Sequence, residues 1–172
     1  TDFIGTIDNV SVKEVQGFAS PSGTTSAFKL VESASTGTHL FYNTADVTVL
    51  NNTKHTTFIY AKKAENNWIG LAEGTSTTAF AYFDLENGVV GNITGTGSPT
   101  AEIKLISNGW YKCSISYTTV STSVRARFYS SKDGTTTSYT GNGTDGVYIY
   151  GTQLEQQSYA TSYIKNEGDA NG

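Results

Sequence analysis

The sequence predicts an all-β protein, an antiparallel β-sandwich of jelly-roll type, and three observations carry that expectation. Thr, Ser and Gly number 27, 18 and 18, over a third of the 172 residues, while charged residues make up only 15%, against about 25% in ordinary soluble domains. The remaining weight falls on Val, Ile, Tyr and Phe, which suit a pleated, half-buried surface better than a helix. Apolar and polar residues alternate with period two in short bursts, and nowhere with the 3.6-residue period of an amphipathic helix.

Taken in order, the bursts predict strands over residues 7–15, 27–33, 39–42, 55–63, 68–72, 79–85, 101–106, 110–117, 124–130 and 146–154. Turn chemistry separates them: Pro21-Ser22-Gly23, Asn51-Asn52, Asn66-Asn67, Asn87-Gly88, Asn108-Gly109, Lys132-Asp133-Gly134 and Asn142-Gly143. These residues supply left-handed backbone or side-chain caps that strands cannot use. About ten strands at short spacing imply a two-layer sandwich. Residues 16–164 are expected to form the domain. Residues 1–15 give either the last strand of an upstream repeat or the first strand of this domain. The apolar pattern stops after Ile164, so residues 165–172 read as a tail or linker. With no initiator Met and no leader pattern at Thr1, a processed or excised piece is expected.

Several function classes are disfavoured. The net charge is −4, and the eleven basic residues are scattered, whereas a phosphate-binding surface needs them clustered. Arg125 and Arg127 alternate with Ala126 and Phe128, which places both on one side of a strand. No apolar run approaches the 18 residues that a spanning helix needs. Cys113 is the single cysteine, set in an alternating strand, and reads as a buried small hydrophobe. His39 and His55 begin separate strands and suggest no nucleophile–base pair. Asp84 and Glu86 share a face, but a strand end at a turn accounts for them. No enzyme is expected.

A longer pattern joins the pieces. Ala27-Phe28-Lys29-Leu30-Val31-Glu32 is followed by His39-Leu40-Phe41-Tyr42, Phe58-Ile59-Tyr60-Ala61-Lys62-Lys63 and Ala81-Tyr82-Phe83-Asp84-Leu85. Then come Gly109-Trp110-Tyr111-Lys112-Cys113-Ser114, Tyr139-Thr140-Gly141, Gly146-Val147-Tyr148-Ile149-Tyr150-Gly151-Thr152-Gln153-Leu154-Glu155 and Ala160-Thr161-Ser162-Tyr163-Ile164. In this order, over residues 18–164, they resemble jelly-roll, carbohydrate-binding-module-like (concanavalin A-like) domains. Such domains occur in secreted polysaccharide-degrading enzymes and in tail-fibre and other virion proteins of marine phages. The chain departs from that pattern at Tyr150, often Trp in the family, and at Lys165, often Pro. Residues 7–15 resemble the closing strand of a related jelly roll.

The resemblance implies a non-catalytic glycan-binding or adhesion module, extracellular or on a virion surface, with a polysaccharide or cell-surface glycan as ligand. Virion or tandem-domain neighbours are the implied partners; nucleic acid and membrane are not. Two alternatives stand beside it: a carbohydrate-binding module appended to a secreted hydrolase, and a purely structural virion or spacer domain. A sugar site needs rings for pyranose faces and polar groups for hydroxyls. Trp68, Tyr60, Lys62, Tyr42 and Tyr150 are the candidates, Trp68 because it follows a turn at a strand start. Phe28, Phe58, Phe80, Phe83, Phe128 and Trp110 are expected in the core. Jelly-roll modules often hold a structural Ca²⁺ on carboxylates and backbone oxygens. Among Asp2, Asp8, Glu32 and Glu155, the last two are favoured because they lie in matching segments. The Asn-x-Ser/Thr triplets at Asn9, Asn51, Asn92 and Asn142 are read as chance in a Thr-rich chain.

Overall fold

The computed structural model describes residues 6–8, 10–14, 19–74 and 77–165. The described residues form sixteen strands: β1 (Thr6–Asp8), β2 (Val10–Glu14), β3 (Phe28–Glu32), β4 (Thr36–Thr38), β5 (Leu40–Tyr42), β6 (Val47–Thr48), β7 (Lys54–Lys63) and β8 (Trp68–Glu73). They continue with β9 (Ala79–Asp84), β10 (Val89–Thr94), β11 (Thr100–Ser107), β12 (Trp110–Thr118), β13 (Ser123–Val124), β14 (Ala126–Ser131), β15 (Ser138–Thr140) and β16 (Gly146–Glu155).

Two six-stranded antiparallel sheets form the sandwich. The first runs β1-β5-β14-β8-β9-β10 and the second β11-β12-β7-β16-β3-β2; ribbons β6–β13 and β4–β15 complete the pairing. The late strands β14 and β16 insert between early ones, so the two ends of the chain are interleaved in both sheets. The opening segment divides, with β1 pairing β5 in the first sheet and β2 pairing β3 in the second. The expected tail beyond Lys165 and the segment 1–5 lie outside the described residues. Among the described residues no helix is long and apolar enough to cross a membrane.

The core lies between the sheets. Ile69, Leu71, Ala81, Phe83, Phe41 and Phe128 from the first meet Leu30, Ile59, Ala61, Cys113, Ile115, Tyr117, Val147 and Ile149 from the second. Each comes from one parity of its strand, as period-two geometry requires. A bulge reverses that parity along β16, from Val147 and Ile149 to Leu154. Tyr150 faces Tyr60 and Thr152 faces Ile59, with Gly151 left over at φ +47°. The extra residue lets Leu154 pack against the core. Burial pushes the Cys113 thiol up and keeps it protonated.

Where expectation and structure differ, the causes are local. Strand β10 was not expected, since Gly91 and Asn92 interrupt its apolar alternation; the β9–β10 register shifts there, between Val90 and Ile93. Phe58 and Phe80 are buried, but on the outer faces of the two sheets rather than between them. Phe28 is only partly buried against the core. Trp110 is buried outside the inter-sheet core and donates its indole N–H to the Ala19 carbonyl at 3.0 Å.

Candidate functional site

A second apolar layer covers the outer face of the first sheet. Strand β8 sends Ile69 and Leu71 inward, so Trp68, Gly70 and Ala72 point out; β9 likewise turns out Phe80 and Tyr82, β14 Arg127 and Tyr129, and β5 Leu40 and Tyr42. The register sets these in rows. Tyr42, Arg127, Ala72 and Phe80 form one row, and Leu40, Tyr129, Gly70 and Tyr82 the next. The small residues on the middle strand let the rings close over it. A Cβ on Gly70 would stand 2.9 Å from Phe80 Cζ, and Phe80 in turn lies 4.6 Å from Tyr82 and 5.5 Å from Tyr129, centroid to centroid. These edge and tilted arrangements suit aromatic quadrupoles.

At one end of this layer stands Trp68, partly buried. Its indole packs on Gly91, where a Cβ would come within 2.8 Å, and on the backbone of Gly134. Gly134 is left-handed, at φ +68°, and belongs to a turn built by its neighbours. Asp133 Oδ1 accepts the Thr135 and Thr136 N–H groups at 2.8 and 2.9 Å, and Ser131 Oγ accepts Gly134 N–H at 3.1 Å. Those backbone bonds hold the Asp133 carboxyl down at about 2. Desolvation, with the nearby Asp133 charge, pushes the Tyr82 hydroxyl up to about 12.

The opposite end is cationic. The guanidinium carbons of Arg125 and Arg127 each stand 5.4 Å from the Tyr42 ring centre. Arg125 is paired with Asp46, Nε to Oδ1 at 2.5 Å, and Asp46 Oδ2 accepts Ser123 Oγ at 2.8 Å. Arg127 Nε is buried without a hydrogen-bond partner.

The outer face of the second sheet has a different character. Tyr60 and Tyr150 lie 6.0 Å apart, and Tyr163 covers both at 6.3 and 5.5 Å. Residues 156–165 cross this face and are tied to it. Thr161 N–H donates to Glu155 Oε2 at 2.8 Å, Ile164 N–H to Gln153 Oε1 at 2.8 Å, and Lys112 to the Thr161 carbonyl. A groove of ≈ 550 Å³ remains beside Tyr60, Lys104 and Lys112. Lys62 donates to the Asn108 carbonyl at 2.7 Å.

The five expected ligand residues are therefore divided. Trp68 and Tyr42 share the first sheet's outer face, while Tyr60, Lys62 and Tyr150 belong to the second. Tyr82 joins the first pair, and so do Phe80, Tyr129 and Arg127, which were not anticipated. A signal for them exists in Ala79-Phe80-Ala81-Tyr82-Phe83, whose aromatics occupy both parities of one strand. Both faces of β9 must then be apolar.

Glu32 and Glu155 are not brought together: Glu32 lies beside Asp145, just before β16, and Glu155 ends that ten-residue strand. Glu32 is buried and already saturated. Oε2 accepts Asn66 Nδ2 at 3.0 Å and the Tyr139 hydroxyl at 2.9 Å, and Oε1 accepts Asn142 N–H at 2.9 Å and faces Lys132 Nζ at 3.1 Å. Desolvation raises its pKa, but these four donors outweigh it and the net shift is downward. An ammonium in direct contact is the wrong neighbour for a divalent cation. Glu155 is bonded to Gln153 and Thr161. Neither donor set fits calcium, and no group of three potential metal ligands occurs among the described residues. Asp2 and the Asp8 side chain lie outside the described residues.

Asp84 spends its carboxylate on the Glu86 and Asn87 N–H groups and the Asn87 amide, at 2.7–3.1 Å. Tested against known proteins, the chain matches no protein-family model and no curated sequence.

Proposed function

We propose that this chain is a non-catalytic glycan-binding module, and that its ligand lies on the outer face of the first sheet, over the partly exposed rings of Trp68 and Tyr42. One observation carries the reading: outside the inter-sheet core a second layer of five rings forms, in which Phe80, Tyr82 and Tyr129 are buried and Trp68 and Tyr42, at its two ends, stay partly exposed. A sandwich needs one apolar face per sheet. A second aromatic face, flanked by Arg127, Asp133 and Asp84, has the mixture of flat apolar surface and polar edges on which pyranose rings stack. The acidic candidates for chemistry are committed elsewhere, Asp84 to a turn and Glu86 to an ion pair with Lys63, and in this reading the module holds its ligand without making or breaking a bond. Calcium has no part in this reading. The ordered segments that resemble phage virion domains favour an adhesion role in a virion over attachment to a hydrolase.

Affinity electrophoresis against neutral, uronic-acid and sulfated polysaccharides tests the proposal, with Trp68→Ala and Tyr42→Ala in parallel lanes and thermal melts to verify folding. Retardation by a glycan, reduced in both variants, supports it. A folded protein retarded by none of them is a structural domain instead.

A further inference from the structure

The aromatic face is neutral at its centre but cationic at its Tyr42 end, and the two arginines there are not equivalent. Arg125 is spoken for: its Nε holds Asp46, whose second oxygen is taken by Ser123. Arg127, two residues on and of the same parity, has no ion pair among the described residues, and its Nε is buried with no hydrogen-bond partner. A buried N–H of a charged group is costly to leave unpaired. Among the described residues it is the only buried side-chain nitrogen or oxygen left in that state. Arg127 lies between Tyr42 on β5 and Ala72 on β8. Ala72 is itself covered by the aromatic layer, and Arg127 stands at the edge of that layer rather than beneath it.

We infer that Arg127 is the anchor for an anionic group on the glycan, a carboxylate or a sulfate ester, so that the ligand is an acidic saccharide. The inference rests on the proposed function and specifies its substrate class. Guanidinium presents parallel N–H groups that match two oxygens of a carboxylate or sulfate, and an ammonium cannot reproduce that fork. Asp46 feels the Arg127 charge, but both its oxygens are engaged by Arg125 and Ser123. The Nε is enclosed, whereas among the described residues neither Nη group is buried without a partner or held by an acid, and an incoming anion would meet that open side of the guanidinium. Trp68 faces Ser131 across the strand pair, four residues along β14 from Arg127, or roughly 13 Å at 3.3 Å per residue. An acidic residue on Arg127 and a ring stacked on Trp68 thus belong to one short oligosaccharide.

The test titrates the intact chain with polygalacturonate, a sulfated galactan and a neutral galactan, at fixed ionic strength. Arg127→Gln, Arg127→Lys and, on the opposite sheet, Lys104→Gln are titrated in parallel. The inference expects one or both anionic polymers to bind at least tenfold tighter than the neutral one. Arg127→Gln and Arg127→Lys should each lose about tenfold, because the lysine keeps the charge but not the fork. Lys104→Gln, with the same charge change, should bind as the parent does. Polygalacturonate alone identifies the carboxylate, and the sulfated galactan alone identifies the ester. Binding of the neutral galactan with equal affinity, unchanged in Arg127→Gln, overturns the inference while the glycan-binding reading stands. Anionic binding lost in Lys104→Gln instead moves the site to the other sheet and overturns both, as does no binding at all by a folded protein.

Discussion

Arg127 and Tyr42 face each other across β14 and β5, with the guanidinium carbon 5.4 Å from the centre of the ring. Arg125 approaches the same ring at the same distance, so one tyrosine carries two cations. At a half-exposed ring each such contact contributes about 0.5–1 kcal/mol. Tyr42→Ala is expected to destabilise the domain by roughly 1–2 kcal/mol in urea melts. Glycan affinity should fall by about tenfold, since the ring is lost and the guanidinium loses its support.

Tyr150→Ala gives the contrasting result. Tyr150 sits under Tyr163 on the second sheet, away from the aromatic layer. Distant sites act independently to within about 0.5 kcal/mol, so affinity should stay within roughly twofold of the parent. Titration of both variants with one glycan makes the comparison. A loss in Tyr150→Ala equal to that in Tyr42→Ala would place the ligand on the wrong sheet for this account.

Gly134→Ala tests the seating of Trp68. The position is left-handed at φ +68°, and an added Cβ would enter the indole. Left-handed backbone alone costs alanine about 1 kcal/mol, and displacement of the ring adds to it. A loss of roughly 1–3 kcal/mol is expected, about 2–4 °C in Tm per kcal/mol for a domain of this size. A shift of tryptophan emission should accompany it. An unchanged melt and spectrum would mean that the indole does not rest on this turn.

Acid should unfold the protein through carboxylates that the fold holds below their ordinary values. Glu32, Asp84 and Asp133 are all shifted down. The unfolded chain therefore takes up these protons first, from about pH 4.5 for Glu32 and 3.8 for the aspartates. Their contribution to stability is complete above that range and is lost as pH falls through their lowered folded values, about 2 for Asp133. Glu32→Gln should lower stability at neutral pH by roughly 2–4 kcal/mol, because it sets an amide against donors bonded to a buried carboxylate. Its acid limb should also be shallower. Tm measured from pH 2 to 7 for both proteins checks each part; parallel curves would contradict the assignment to Glu32.

What the sequence made legible follows from what period two can encode. Long strands with one apolar parity, such as Lys54–Lys63 and Trp110–Thr118, were expected nearly to the residue. The short ribbon strands and β10 were not, since Thr36–Thr38 and Val90-Gly91-Asn92 use turn residues for pairing. Alternation says which residues share a face but not which sheet the face belongs to. Trp68 and Tyr60 could therefore be grouped on paper, although the fold places them on opposite sheets. Arg127 was legible only as a strand residue; its missing partner is a property of three-dimensional packing. Glu32 was noticed as a carboxylate, but its four donors come from residues 34 to 110 positions away.

The most direct measurement is tryptophan emission during titration with the polysaccharide panel, for the parent and for Trp68→Phe. Trp110 is buried and bonded to Ala19, whereas Trp68 is only partly buried on the aromatic face. The account predicts a saturable change in the parent with at least one glycan, and no change in Trp68→Phe. Binding detected by calorimetry with no change in the parent's emission, or a signal that persists in Trp68→Phe, would contradict a ligand site on this face.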